Sequence, residues 1–266
     1  QFAHFYAGDT GAMLRSVEQV ADAWDASVPR YGRWLGVRAF ALEERGDLAA
    51  AEAAGREAVS REPDDAWAVH AVAHCLETKG LAAEGCAWLD GTADDWSDAG
   101  TLDGHLRWHR ALFALEHAGP EAVLADFDDA IQIHRSEEYL DLCNDVALLQ
   151  RLELRGLDVG DRWERIAAAV ELRSRDRLLP FCDVHWALGL AAAERSAALA
   201  ALLDGMAEAA GSARPDADAW RRAALPVAEG LVAFRRGEAR AAFERLWAAR
   251  DRSRCLGGSH AQRDLF

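Results

Sequence analysis

The sequence predicts an all-α protein of tetratricopeptide-like helical hairpins stacked into a curved α-solenoid. Three observations predict it. Alanine dominates, while the 266-residue chain holds only three Ile and four Thr; β-branched residues favour strands, whereas Ala, Leu, Arg and Glu favour helices. Glycines are followed closely by Pro or Asp at intervals that suit short helices joined by tight turns. Gly46 and Gly80 are 34 residues apart, which is the tetratricopeptide period.

The elements follow in order. Asp9 caps a helix expected to run to about Trp24, and Pro29 opens the next, through Tyr31, Trp34 and Phe40, to near Gly46. Asp47 caps Leu48 to Arg61, and Pro63 and Asp64 introduce a helix from Asp65 to Lys79 closed by Gly80. A short helix covers Leu81 to Leu89, and Gly91 to Gly100 reads as a polar turn holding Trp96. The next helix runs from about Leu102 to His117, Gly119 closes it, and Pro120 starts its successor. Helices near 138–155, 161–173, 181–195, 197–210, 216–236 and 238–250 complete the reading. With Gly46 as the turn between two helices, Ala51, Ala58 and Pro63 take the small, small and proline positions of the repeat. Gly230, Gly237, Ala242 and Ala249 repeat that spacing, whereas Gly119 and Gly156 mark a degenerate middle. No linker separates domains, so residues 1–266 read as one solenoid domain, trimmed at both ends.

Thirty basic against forty-five acidic residues give a net charge of −15. That charge argues against nucleic acid or an anionic membrane as partner. No apolar run reaches ~18 residues, and no signal peptide is visible. Cys75, Cys86, Cys143, Cys182 and Cys255 form no CxxC pair, a pattern expected of a reducing cytoplasm.

Two histidine pairs stand out. His70 and His74 are four apart on one predicted helix, and His105 and His109 are four apart on another, so each pair shares a face. Trp67 and Trp108 lie beside them. Four imidazoles on one concave face could hold zinc, copper or iron. The zinc-peptidase glutamate is absent, since Ala71 and Leu106 follow the first histidines. No Cys or carboxylate at helical spacing completes either pair, so a ligand pocket is expected ahead of a metal site, and the cofactor is left unnamed. Asp145, Asp183, His185 and, after a Gly pair, Ser259, His260, Arg263 and Asp264 are the other polar candidates. Ser259 could cap a helix whose N-terminus and Arg263 would hold an anion; Arg263 with Asp264 could equally be a local ion pair.

These segments resemble the tetratricopeptide-repeat protein 38 family. The matching stretches are LEERGDLAAAEAAGREAV, DAWAVHAVAHCLETKG, HLRWHRALFALEHAG, NDVALLQRLELRGLDVGDRW, FCDVHWALGLAAA and GGSHAQRD, in that order from about residue 35. The resemblance implies a tetratricopeptide-like solenoid and little about activity. Thr78, Gln150 and Cys182 stand where the family tends to have Met, Trp and Asn.

Signature stretches rich in His, Asp and Trp exceed what a bare repeat fold needs. The expected function is therefore a concave pocket, walled by Trp67, Trp108 and Trp186, that binds a small molecule. His70, His74, His105, His109, Asp145, Asp183, His185, His260 and Arg263 would line it. His105, His109, Asp145, Asp183 and His185 are the candidates if it is catalytic. The alternative is an open groove holding a peptide or partner helix. The sequence decides neither catalysis nor oligomeric state.

Overall fold

The computed structural model describes residues 1–97, 99–130 and 138–266. The described residues are helical, with no strand among them. In chain order the helices are α1 (Phe2–Tyr6), α2 (Thr10–Glu18), α3 (Tyr31–Glu44), α4 (Leu48–Arg61), α5 (Ala66–Thr78), α6 (Ala82–Gly91), α7 (Ala93–Trp96), α8 (Thr101–His117) and α9 (Pro120–Ala130). They continue as α10 (Tyr139–Leu154), α11 (Arg162–Arg173), α12 (Pro180–Ala192), α13 (Ser196–Gly211), α14 (Ala217–Ala219), α15 (Leu225–Arg235), α16 (Ala239–Ala249) and α17 (His260–Arg263). No helix among the described residues is long and apolar enough to cross a membrane.

Two compact units emerge. Unit 1 is Gln1–Phe5, Asp9–Ile131 and Ser259–Ala261; unit 2 is Tyr6–Gly8, Gln132–Gly258 and Gln262–Phe266.

In unit 1, α3 pairs with α4 across a three-residue turn, and both pack on α5. The turn works because Gly46 has φ +87 and no Cβ to strain it. Asp47 then accepts the Ala50 N–H at 3.3 Å and caps α4. Asp65 does the same for α5, accepting from Trp67 and Ala68. The second hairpin packs α5 on α6, and α8 covers both. Val69, Val72, Leu76, Leu89, Leu106 and Phe113 form its dry core. Gly85 lets the Phe113 ring approach, since a Cβ there would sit 2.5 Å from it. The helices α3, α5 and α8 start at intervals of 35 residues.

In unit 2, α10, α11 and α12 pack together, α12 also meets α13 and α15, and α15 pairs with α16. A π turn at Trp220–Ala224 leads into α15, with the Leu225 N–H reaching back to the Trp220 carbonyl. Pro226 follows within α15.

Several boundaries differ from the sequence expectation. The first long helix stops at Glu18, and Trp24 is extended and stacks on Trp34 at 6.3 Å. Pro29 does not open α3; a turn closes from the Tyr31 N–H to the Val28 carbonyl, and Arg30 takes φ 64. Trp96 is not in a polar turn but buried on α7, its indole N–H donating to Thr92 Oγ1 at 3.2 Å. Asp98, in the same stretch, lies outside the described residues.

Candidate functional site: four converging imidazoles in unit 1

Because α5 and α8 start 35 residues apart and pack on each other, positions with that spacing come level. His70 faces His105, and His74 faces His109, with ring centroids 4.8 and 4.6 Å apart. All four contribute an Nε2 to one run of contacts. Nε2 of His70 lies 2.8 Å from Nε2 of His74 and 2.9 Å from Nε2 of His105, which lies 3.2 Å from Nε2 of His109. The four ligand atoms lie within 4.8 Å of one another. His70, His74 and His109 are buried, and His105 is partly exposed.

The walls are aromatic. The ring of Trp108 stacks on His105 at 5.4 Å, and Trp67 lies 4.9 Å from His70. Phe40 touches both Trp67 and His74. In so dry a place a charge without a partner is costly. Burial first, then the neighbouring His74 and His105, hold the His70 pKa well below its usual value. Burial and His74 lower that of His105 to about 3. Burial also lowers that of His74, but Glu43, Glu77 and Glu44 outweigh it and raise the net value.

Two carboxylates stand behind the ring. Glu77 Oε2 is 2.8 Å from Nδ1 of His109, and Glu43 Oε2 is 3.4 Å from Nδ1 of His74. A carboxylate at Nδ1 favours the Nδ1–H tautomer and turns the Nε2 lone pair inward. That choice frustrates a purely hydrogen-bonded ring. Three contacts run His74–His70–His105–His109, and donors and acceptors must alternate along them. When both outer rings keep Nδ1–H and accept at Nε2, alternation over three contacts fails. Some pair must set two lone pairs, or two N–H groups, against each other. A cation at the centre removes the conflict by accepting all four lone pairs. Tetrahedral nitrogens at 2.0–2.1 Å from an ion stand about 3.4 Å apart, so the rings would move apart by about 0.2–0.6 Å at these contacts to take one. The buried Nδ1 of His70 makes no hydrogen bond.

Of the sequence candidates, the structure brings Trp67, His70, His74, His105, Trp108 and His109 together on α5 and α8. His260 belongs to unit 1 too, with an exposed side chain, its backbone N–H donating to Glu44 Oε1 at 3.1 Å. The other candidates lie in unit 2 and are described there. Asp183 is ion-paired with Arg177; burial outweighs that arginine and pushes the carboxyl up to about 7. His185 donates Nδ1–H to the Phe181 carbonyl at 2.8 Å, and burial lowers its pKa to about 4. Asp145 is buried, and burial, then Asp141, push its pKa well up. Trp186 is buried. Arg263 donates to the Gly258 carbonyl, so its guanidinium closes its own turn, and Asp264 pairs with Arg151 instead.

Sequence reasoning missed Glu43 and Glu77, and a signal for them existed. Leu-Glu-x-x-Gly recurs at 42–46, 76–80, 115–119 and 152–156. It ends α3, α5, α8 and α10. The glutamate of one repeat sits behind a histidine of the next: Glu43 behind His74, and Glu77 behind His109. No family model matches the chain, and no solved structure matches it significantly.

Proposed function

We propose that unit 1 is a transition-metal-binding module, holding one divalent ion on the Nε2 atoms of His70, His74, His105 and His109. The observation that carries this reading is the run of three Nε2–Nε2 contacts at 2.8, 2.9 and 3.2 Å, which neutral tautomers leave in conflict whenever both outer rings keep Nδ1–H. Four imidazoles with neither thiolate nor carboxylate in the inner set suit zinc, copper, nickel or iron rather than magnesium or calcium. Four protein ligands fill a tetrahedral shell. The ion therefore fits a structural or ion-storing role better than hydrolysis at an open position. Around it we keep the tetratricopeptide-like solenoid of the protein 38 family as the architecture, supported by hairpins that recur every 35 residues in unit 1. The five free cysteines support a reducing, cytoplasmic setting.

The scaffold reading has separate support in unit 2. Phe243 and Trp247, stacked at 5.6 Å, are 62% and 56% exposed on α16, a place for a peptide or partner helix.

The test is metal analysis of the chain purified without chelator, followed by titration with cobalt(II). Expected are retained metal, the strong visible bands of four-coordinate cobalt, and more than tenfold weaker binding in His105→Ala. A folded wild-type chain that holds no metal and takes up none at neutral pH overturns the reading. An extra proton shared by His109 and Glu77 would then be what relieves the ring.

A further inference from the structure

The two carboxylates behind the ring are not equivalent. Glu77 and His109 close to 2.8 Å, a normal hydrogen bond. Glu43 and His74 stop at 3.4 Å, and neither the Nδ1 of His74 nor Oε2 of Glu43 makes a hydrogen bond, although both side chains are at most 1% exposed. A third group joins them. Glu44, also buried, brings an oxygen, so that the ligand atoms of Glu43, Glu44 and His74 lie within 4.8 Å of one another. Each carboxylate also has its Oε1 anchored. The Thr78 hydroxyl donates to Oε1 of Glu43 at 3.4 Å, and the His260 N–H to Oε1 of Glu44 at 3.1 Å. A carboxylate held by one oxygen presents the other in a fixed direction, as metal-binding carboxylates are held. A nitrogen and an oxygen on one zinc-like ion, at 2.0–2.2 Å and a tetrahedral angle, stand about 3.4 Å apart. That is the gap seen between His74 and Glu43.

We propose that Glu43, Glu44 and Nδ1 of His74 form a second site for a divalent zinc- or copper-class ion, with the His74 ring bridging it to the ion among the four imidazoles. This rests on the four-imidazole reading. Loading the second ion breaks the Nδ1–H bond of His74; the proton passes to water, the nitrogen lone pair binds the ion, and nothing is oxidised or reduced. The bridging ring carries one negative charge and the two glutamates carry two more. Together they offset most of the charge of two divalent ions in a dry interior.

The test counts ions. The full chain is loaded with zinc(II), stripped stepwise with chelator, and measured by elemental analysis and native mass spectrometry. Two zinc ions per wild-type chain are expected, and one in Glu43→Gln and in Glu44→Gln. A wild type that saturates at one ion, with Glu43→Gln keeping it, overturns the second site and leaves the first standing. No ion in the folded wild type overturns both. Two ions in wild type and in both variants put the second ion elsewhere and overturn the assignment. Should the variants fail to fold, copper(II) loading of the wild type decides. Two coppers across one imidazolate couple magnetically, so the integrated spin signal should fall at least twofold below the copper content. A signal equal to the copper content overturns the bridge.

Discussion

His70 in unit 1 and His185 in unit 2 are both almost fully buried, and burial lowers the pKa of both. Their partners differ. His185 gives Nδ1–H to a carbonyl one turn back on its own helix and packs between Phe181 and Phe266. His70 meets two other imidazoles through one nitrogen. The first is a core histidine with one nitrogen answered by its own helix and the other, Nε2, buried without a hydrogen bond. The second is placed by two helices among other imidazoles, the arrangement on which the proposed metal site rests. The lesson extends to the units. Unit 2 answers its buried Asp183 with Arg177, whereas unit 1 gathers four imidazoles whose nitrogens lie within 4.8 Å of one another.

The contrast can be broken or sharpened experimentally. The largest expected effect is in unit 2: Arg177→Ala strands Asp183 at 1% exposure and should cost about 3–5 kcal/mol, read by denaturant unfolding. Metal content should not change. Next comes zinc. At about a thousandfold excess over its dissociation constant, a bound ion adds about 4 kcal/mol. Hydrogen exchange should show the protection in α5 and α8 and none in α12. Protection spread evenly over both units would erase the distinction.

A pH experiment separates two titratable side chains on α12. His185 has its pKa lowered to about 4, so its contribution is complete above the free value of about 6.5 and fades as pH falls towards 4. Asp183 is raised to about 7. The unfolded chain gives up that proton first, so its contribution weakens as pH rises from about 4 to 7. The two slopes oppose each other in wild type. Asp183→Asn should expose the histidine slope, losing about 2 kcal/mol more than wild type between pH 6 and 4.5. Parallel profiles would show that the pair does not control acid stability. The smallest effect calibrates the rest. Asp47→Ala removes the cap of α4 and should cost about 1 kcal/mol with metal content intact. Lost metal in this variant would mean that general loosening, rather than ligand removal, empties the site.

Much of unit 1 was legible because its signals are local. The capping aspartates Asp9, Asp47 and Asp65 accept helix N–H groups where the sequence puts helix starts. The HxxxH pairs are readable because four residues are one helical turn. Their meeting depended on a second regularity, the 35-residue register, which makes neighbours of positions far apart in the chain. Glu43 and Glu77 were overlooked because each serves a histidine of the following repeat, not of its own helix. A search within one helix cannot find such a partner, but the recurring Leu-Glu-x-x-Gly could. Arg263 differs for another reason: a guanidinium near a glycine pair can turn back on the pair's own carbonyls, and it does.

The register of α3, α5 and α8 has one more consequence. Leu35 and Ala39 occupy on α3 the places that His70 and His74 occupy on α5. The imidazole ladder therefore has two rungs and ends in hydrocarbon. The whole donor set is one two-residue pattern written twice, so rewriting Leu35 and Ala39 would lengthen the ladder, and erasing either copy would leave half a cage.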